Sequence, residues 1–210
     1  MQKKILIIDP FVKQPVNNCF NRLVDLLPAK LYLYQPALFP LDLYTSAQVD
    51  AYLVLGSASH VSEKLSWHIS LQNFLLAELK NNKPVLGLCF GHQLLAHAFG
   101  AQVKFLHPNQ DKLLGSRIIS WQNENFNLGI THRQAVTKLS SELIPLMPTN
   151  AFGFDLIQHK NYLFTGCQAH PEASEQFLSH DCQVTDFSLR QKILFDSSRF
   201  LMTWYQKYLQ

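Results

Sequence analysis

Apolar and polar residues follow one another in the first half of the chain in a pattern that predicts alternating strands and helices. Short apolar runs, typical of buried strands, lie at Lys4–Asp9, Leu31–Tyr34, Asp50–Leu55 and Val85–Leu88. Apolar positions at helical spacing predict helices at Val16–Leu27, Glu63–Lys80 and Gln93–Phe99. Because strands that alternate with helices form parallel sheets covered on both faces, the pattern favours an α/β fold.

From Ala101 onward the chain changes to short strands joined by turns, which predict a smaller antiparallel set. The strand candidates are Val103–Leu106, Leu113–Trp121, Phe126–Ile130, Ala151–Ile157 and Asn161–Thr165. The chain closes on an amphipathic helix, whose apolar face carries Leu189, Ile193, Phe200, Trp204 and Tyr208. Since no repeat, low-complexity tract or linker divides the chain, we expect one domain over residues 1–210.

The composition narrows the classes of function. Hydrophobic residues make up 47% of the chain, as is ordinary for a globular protein, and charged residues only 16%. The net charge is +3 and the basic residues are scattered, with no block of the kind that follows phosphates. We therefore do not expect nucleic acid as a partner.

Two stretches of the chain partly resemble a secretory signal or a membrane-spanning helix, but neither meets all the requirements of one. The apolar run after Lys4 ends at Asp9, whereas a secretory signal needs about 7–15 apolar residues. Residues 84–103 contain no Asp, Glu, Lys or Arg, but their proline, glycines, histidines and glutamines do not suit a helix in hydrocarbon. We expect a soluble, cytoplasmic protein with no membrane association.

The cysteines and histidines do not predict a disulfide framework or a metal site. Without an export signal, we expect Cys19, Cys89, Cys167 and Cys182 to be reduced. The chain has no C-x-x-C or H-x-x-x-H pair, so we expect no metal. It also lacks a G-x-x-x-x-G-K-[ST] phosphate loop and a G-x-G-x-x-G after the first strand, so we expect no nucleotide or other cofactor.

The clearest chemical signal is the segment from Gly87 to Gln93, Gly-Leu-Cys-Phe-Gly-His-Gln, between an apolar strand and an apolar helix. Glycines two residues before and two after Cys89 allow a tight turn that projects the cysteine side chain from the end of the sheet. The positive partial charge at the start of the next helix favours a thiolate. The segment is typical of a cysteine nucleophile, and a buried cysteine beside two packing glycines is the alternative.

A second signal is the segment from Gly166 to Glu172, Gly-Cys-Gln-Ala-His-Pro-Glu. In an extended segment His170 and Glu172 point to the same side, so the carboxylate can hold the imidazole in one tautomer. Such a histidine can take a proton from a thiol and later give one to a leaving amine. A turn with a surface histidine is the alternative, but together with Cys89 the segment completes a nucleophile, a base and a residue that orients the base.

Together these two segments resemble the class I glutamine amidotransferases, a family with a Cys-His-Glu triad. The family's pattern G-x-C-x-G-x-Q is matched at Gly87, Cys89, Gly91 and Gln93. Its pattern G-x-Q-x-H-P-E is matched at Gly166, Gln168, His170, Pro171 and Glu172. The resemblance extends over most of the chain. It implies a flavodoxin-like three-layer α/β fold, with helices on both faces of a central, mostly parallel sheet and a smaller antiparallel strand set.

The resemblance also implies a reaction and a role for each matching residue. In this family the cysteine attacks the side-chain amide of glutamine, which gives ammonia and a γ-glutamyl thioester that water converts to glutamate. Carried over, Cys89 is the nucleophile, His170 the general acid and base, and Glu172 the residue that orients His170. The backbone N–H groups of Gly56, Ser57 and Phe90 would hold the oxyanion, and Gln93, Thr131 and His132 would contact the substrate.

Two departures from the family pattern bear on these roles. The oxyanion turn usually carries consecutive glycines, whereas residues 55–59 read Leu-Gly-Ser-Ala-Ser. Gln134 stands where the family usually has an aspartate. Because the turn has fewer glycines, we expect Gly56 and Ser57 to form the slack element of the site until a partner binds.

Three functions are compatible with the sequence. The first is hydrolysis of glutamine, with the ammonia passed to a separate synthase subunit, because the chain ends at Gln210 without space for a synthase domain. The second is a γ-glutamyl peptide or γ-glutamyl amine hydrolase that acts alone, since the electrophile is the same. The third is a binding or regulatory module without turnover, which the presence of all three triad residues disfavours. The first two predict a small-molecule γ-glutamyl substrate.

Overall fold

The computed structural model describes residues 1–12, 17–39 and 49–210, and its strands form three sheets. In chain order the strands are β1 (Lys4–Ile8), β2 (Lys30–Tyr34), β3 (Ala51–Val54), β4 (Val85–Leu88), β5 (Gln102–Phe105), β6 (Leu113–Trp121), β7 (Glu124–His132), β8 (Gln134–Lys138), β9 (Leu143–Pro145), β10 (Leu156–His159) and β11 (Phe164–Cys167). The central sheet has seven strands in the order β2-β1-β3-β4-β11-β10-β9. The pairings from β2 to β11 are parallel, and the last two are antiparallel. The pairs β5–β8 and β6–β7 form two smaller antiparallel sheets.

The helices lie in two layers against this sheet. They are α1 (Asn17–Leu26), α2 (Ser66–Lys80), α3 (Phe90–Ala98), α4 (Glu175–His180) and α5 (Phe187–Leu209). The longest helix, α5, is capped at its start by Asp186, whose side chain accepts a hydrogen bond from the Leu189 N–H. No helix among the described residues combines the length and the apolar character that crossing a membrane requires.

The side chains of β1 show how the layers are arranged. Ile5 and Ile7 pack into one hydrophobic layer and Leu6 and Ile8 into another, since neighbouring residues of a strand face opposite sides of a sheet. The first layer includes Leu23 of α1 and Phe200, Leu201 and Trp204 of α5. The second includes Leu71, Leu75 and Leu79 of α2 and Leu94 and Leu95 of α3. This arrangement confirms the predicted flavodoxin-like three-layer α/β fold.

The strand order brings distant segments together at one end of the sheet. β4 lies between β3 and β11, and Gly87 and Leu88 of β4 pair with Gly166 and Cys167 of β11. Because all three strands are parallel, the loops that follow them meet at the carboxyl ends of the strands. In open α/β sheets this edge is where ligands bind.

Several predicted boundaries are wrong. Residues 151–155 of the predicted strand Ala151–Ile157 contain no strand, and β10 begins at Leu156, because Gly153 has a φ of +118° that extended chain does not adopt. The predicted helix Glu63–Lys80 is interrupted at Lys64, whose φ of 51° is left-handed and separates a 3₁₀ turn from α2.

The sequence pattern also missed short elements. β8, β9 and α4 have five, three and six residues, and each lacks an apolar run as long as the four residues that marked β1. β9 contains Pro145 and lies at the edge of the sheet, where a missing N–H interrupts no pairing. The predicted strand Asn161–Thr165 begins only at Phe164. Val16, the first residue of the predicted helix Val16–Leu27, lies outside the described residues.

Candidate active site

Cys89 occupies a sharp turn between β4 and α3. It has φ and ψ of 46° and −97°, a conformation that residues with a side chain rarely adopt and that costs about 1–3 kcal/mol. Its backbone N–H donates to the Cys167 carbonyl at 2.9 Å, which ties the turn to the neighbouring strand β11. The thiol is therefore presented at the carboxyl end of the sheet by a strained backbone that the surrounding packing maintains.

The glycines on either side of Cys89 are required by close packing. A Cβ atom on Gly87 would lie 2.6 Å from the carbonyl carbon of Gly91. A Cβ atom on Gly91 would lie 2.6 Å from the Val54 carbonyl oxygen and 2.7 Å from the Val54 Cβ. Both separations are well below van der Waals contact, so only glycine lets α3 approach β3 and β4 this closely.

His170 and Glu172 lie in the loop between β11 and α4, and both are buried. The His170 Nδ1–H donates to Glu172 Oε1 at 2.8 Å, and the His170 backbone N–H donates to the Gly129 carbonyl at 2.9 Å. The first bond fixes the tautomer of the ring and leaves Nε2 on the opposite side. The second bond fixes the loop against β7.

The carbonyl of Thr131, at the end of β7, lies against both Cys89 and His170. The Cys89 Sγ is 3.9 Å from this oxygen, and the His170 Nε2 is 3.4 Å from it. Gly56 lies beside the same two side chains, since a Cβ atom there would be 2.7 Å from the His170 Cε1 and 3.5 Å from the Cys89 Cβ. The structure thus brings Cys89, His170 and Glu172 together, with Thr131 and Gly56 on either side.

The charge on His170 is set by its two neighbours. Burial alone opposes a positive charge on the ring, but the carboxylate of Glu172 and the sulfur of Cys89 outweigh it and raise the pKa of His170 well above its usual value. The ring can therefore hold a proton at neutral pH, with Glu172 stabilising the imidazolium.

Backbone N–H groups without a hydrogen-bond partner occur in the turn after β3 and at the start of α3. Among the residues that the structure describes, the N–H groups of Gly56, Ser57 and Phe90 make no hydrogen bond. The Phe90 N–H is the first of α3, where the helix dipole adds positive potential. The Phe90 side chain packs into the core layer of α2 and α3, so only its backbone N–H can take the role that the sequence predicted.

Serine side chains hold the turn in place. The Ser57 hydroxyl donates to the Pro10 carbonyl at 2.6 Å and accepts from the Ser59 N–H at 3.1 Å. The Ser59 hydroxyl donates to Glu63 and accepts from His68 Nε2 at 2.9 Å. These bonds fasten the turn at both ends, although it lacks the consecutive glycines of the family pattern.

Gln93 and His132 share the backbone carbonyl of Gln134. The Gln93 Nε2 donates to this oxygen at 2.7 Å and to Gln168 Oε1 at 3.0 Å, and the His132 Nδ1–H donates to it at 2.9 Å. Burial lowers the pKa of His132 to about 4, so its ring is neutral. Since the amide nitrogen of Gln93 is engaged, its carbonyl oxygen is the atom left to face a ligand.

A cavity of about 440 Å³ opens over these residues. Every residue that the sequence indicated lines it except Phe90, and the sequence missed its charged lining residues, which are Asp9, Glu63, Lys112, Arg133 and Asp181. Asp9 could have been found, because an acid that ends the first strand lies at the carboxyl edge of the sheet. The others come from loops and strand ends whose position the pattern does not predict.

Burial affects the protonation of the other three thiols. Cys19 also lines the cavity, but burial raises the pKa of its thiol to about 11. Burial likewise raises the pKa of Cys182 to about 12 and that of Cys167 further still. All four cysteines are free, and no group of three His, Cys, Asp or Glu side chains within the described ranges could hold a metal ion.

A cysteine on a strand-to-helix turn, with a histidine from the next strand, is the arrangement of α/β proteins that carry out acyl transfer through a thiol. The profile of the family described as "Glutamine amidotransferase class-I" matches residues 14–182. The chain therefore belongs to the class I glutamine amidotransferases, as the two sequence patterns predicted.

Solved structures share the fold along the whole chain. A glutamine amidotransferase from Thermotoga maritima superposes with a TM-score of 0.73 at 13% identity, over 100% of this chain and 99% of that one. A glutamine amidotransferase from Methylobacillus flagellatus superposes with a TM-score of 0.71 at 16% identity, over 100% and 96% of the two chains. At these identities the likeness is one of fold.

Curated relatives include components of two synthases. One component of the glutamine-hydrolysing GMP synthase of Methanococcus vannielii is 29% identical over 126 residues, which are 54% of this chain and 66% of that protein. The carbamoyl phosphate synthase small chain of Campylobacter jejuni is 29% identical over 185 residues, which are 82% of this chain and 46% of that protein. The chain thus spans less than two thirds of the length of these relatives.

Proposed function

We propose that this protein hydrolyses the side-chain amide of glutamine to glutamate and ammonia through a γ-glutamyl thioester on Cys89. The observation that carries the proposal is the arrangement around the Thr131 carbonyl. The Cys89 sulfur and the His170 Nε2 lie 3.9 and 3.4 Å from it, and the Glu172 carboxylate is bonded to the other ring nitrogen at 2.8 Å. A nucleophile, a base and a residue that orients the base thus face one cavity.

In the first half of the reaction, the thiolate of Cys89 attacks the amide carbon of glutamine while His170 holds the thiol proton. The oxygen of the amide becomes an oxyanion, to which the backbone N–H groups of Gly56, Ser57 and Phe90 would donate hydrogen bonds. Each such donor is worth about 10²–10³ in rate. As the carbon–nitrogen bond breaks, the His170 imidazolium gives its proton to the nitrogen, and ammonia leaves.

In the second half, water attacks the thioester carbon and His170 takes a proton from it. The tetrahedral intermediate collapses, the carbon–sulfur bond breaks, and glutamate leaves with Cys89 restored. Glu172 stabilises the imidazolium in both halves without touching the substrate. The raised pKa of His170 supports this assignment, because the ring must carry a proton at the moment when ammonia departs.

We propose further that the ammonia passes to a separate synthase subunit. The relatives named above are components of a GMP synthase and of a carbamoyl phosphate synthase, which supports a partner of this class. The substrate's amino-acid end would lie against the Gln93 carbonyl oxygen and the backbone of Thr131 and His132. No cofactor takes part in these steps.

Labelling of the thiol tests the proposal. A chloroketone analogue of glutamine should add one adduct mass to the purified protein, and peptide mapping should place the adduct on Cys89. The Cys89→Ala variant should take up none. Cys19→Ala is the matched control, because Cys19 lines the same cavity, and it should label at the wild-type rate. An adduct on Cys19, or one that persists in Cys89→Ala, would refute the assigned nucleophile.

A second candidate is a γ-glutamyl peptide or γ-glutamyl amine hydrolase that acts alone. The hydrogen bonds of Ser57 and Ser59 favour it, because a turn already fastened at both ends does not need a partner to align its N–H groups. Glutamine and a panel of γ-glutamyl dipeptides should be assayed with the purified chain. Turnover of a dipeptide above about 1 s⁻¹, with glutamine ignored, would establish the second candidate. No turnover of either, with Cys89 unlabelled, would indicate a binding module instead.

A further inference from the structure

Arg22 of α1 joins three parts of the molecule behind the candidate active site. Its Nη1 donates to the Pro171 carbonyl at 2.7 Å. Its Nη2 donates to the Leu194 carbonyl at 2.8 Å and to the Ser198 Oγ at 3.1 Å, both on α5. The guanidinium therefore fixes the loop between β11 and α4 to two helices, and it does so at the residue that separates His170 from Glu172.

The electrostatic surroundings of Arg22 also involve the site. Burial lowers the pKa of Arg22, and the charge of Glu172 and the Cys19 thiol oppose that change. The second carboxylate oxygen of Glu172, Oε2, is buried and has no hydrogen-bond partner within the described part of the chain. Within the described residues, the Glu172 side chain makes its hydrogen bond to His170, and its backbone follows Pro171, whose carbonyl is held by Arg22.

We propose that Arg22 is a positioning residue for the His170–Glu172 pair, and this inference rests on the proposed function. By fixing the Pro171 carbonyl, Arg22 keeps the Glu172 carboxylate on the ring nitrogen of His170 and so keeps Nε2 directed at Cys89. It touches neither the substrate nor the reacting atoms. The planar fork of arginine is suited to this task because its two terminal nitrogens hold donors at fixed angles, whereas the three donors of a lysine ammonium rotate about one nitrogen.

Two variants and a matched control test the proposal. Arg22→Met removes every hydrogen bond, and Arg22→Lys keeps the charge but loses the fork. Arg190→Met is the control, because Arg190 also donates to two loop carbonyls, those of Val184 and Thr185, and pairs with Glu175. Within the described residues, none of its hydrogen bonds reaches the loop between β11 and α4. Melting temperature, kcat and KM for the best γ-glutamyl substrate should be measured for all three.

We expect kcat of Arg22→Met to fall about 10- to 100-fold with KM within about twofold, because a misplaced base slows the chemical steps and leaves binding intact. Arg22→Lys should lie between this variant and the wild type. Arg190→Met should lose thermal stability but keep kcat within about twofold of the wild type. Equal kcat losses in Arg190→Met and Arg22→Met would overturn the proposal, because they would reduce the role of Arg22 to general stability.

A second readout needs no substrate and so separates this inference from the proposed function. The rate at which iodoacetamide alkylates Cys89 should be compared at pH 6.5 and at pH 9. In Arg22→Met the rate at pH 6.5 should drop about threefold or more, while the rate at pH 9, which reports access, should hold. If Arg22→Met shows this drop and the wild type turns over no γ-glutamyl substrate, the proposed function is wrong but the positioning role of Arg22 stands. If the ratio of the alkylation rates at pH 6.5 and pH 9 is the same in Arg22→Met as in the wild type, the positioning role is refuted. If Arg22→Met does not fold, the same comparison is made with Arg22→Lys.

Discussion

Replacement of Gly56 by alanine tests the geometry of the site most directly. The added Cβ would lie 2.7 Å from the His170 Cε1, 3.4 Å from its Nδ1 and 3.5 Å from the Cys89 Cβ. Carbon atoms in contact are normally about 3.5–4.0 Å apart, so the ring or the turn must yield by about 1 Å. His170 is held by Glu172 and by the Gly129 carbonyl, and it cannot move away without losing one of them. A displacement of this size costs about 10² in rate, which corresponds to about 2.7 kcal/mol.

The assay is steady-state release of glutamate, with chloroketone labelling in parallel. We expect kcat of Gly56→Ala to fall about 100-fold, while Cys89 still labels, because the thiol itself is not covered. Gly115→Ala is the control, since a Cβ there meets nothing within 4 Å. Its φ of +116° makes alanine strained, so that variant should lose stability and keep its kcat. A Gly56→Ala enzyme with wild-type kcat would refute the placement of Gly56 against the reacting groups.

Two further predictions concern charge. Glu172→Gln should lower kcat and leave KM nearly unchanged, because the carboxylate acts on the imidazolium and not on the substrate; a rise confined to KM would show that Glu172 touches the substrate. His92 and His132 are buried and neutral, with the pKa of each lowered by burial, to about 3 and about 4. Below pH 6.5 the unfolded chain therefore binds protons that the folded chain does not, and each ring removes about 1.4 kcal/mol of unfolding free energy per pH unit as the pH falls toward 4. The free energy of unfolding should be measured by urea titration at pH 6, 5 and 4.5. Its slope against pH should be shallower in His92→Gln than in the wild type by about 1.4 kcal/mol per pH unit, and equal slopes would contradict the neutral, buried state of His92.

The layers of the fold were predictable because they follow from local patterns. The four apolar residues of β1 indicate a strand buried on both faces, and the structure places them in two separate core layers. The stripe on α5 correctly predicted that Ile193, Phe200 and Trp204 are buried. Leu189 and Tyr208, which it also included, are only half-buried, and it missed the buried Leu201, Tyr205 and Leu209. Short elements were not predictable, because β9 is three residues long and exists only through its pairing with β10. Its stability comes from its neighbour and not from its own sequence.

The site was predictable where the backbone requires a particular residue. Gly87 and Gly91 occur where no Cβ fits, so the packing of α3 against the sheet is visible in the sequence itself. Thr131 contacts Cys89 through its backbone carbonyl oxygen. Because every residue has this atom, the sequence does not show that this position lies against Cys89. Arg22 lies 149 residues from its acceptor Pro171, and only the folded chain brings the two together.

The distances along the chain between parts of the site have a consequence for its synthesis. Cys89 is made before β7 supplies the Thr131 carbonyl, before β11 exists to pair with β4, and 81 residues before His170. At a translation rate of about 5–20 residues per second, the nascent chain carries this cysteine for roughly 4–16 s before His170, its proposed base, has been made. The α3 turn also lacks its hydrogen bond to Cys167 during that time. The proposed triad is therefore complete only once the central sheet can form, and a chain released early from the ribosome would carry Cys89 without its proposed base.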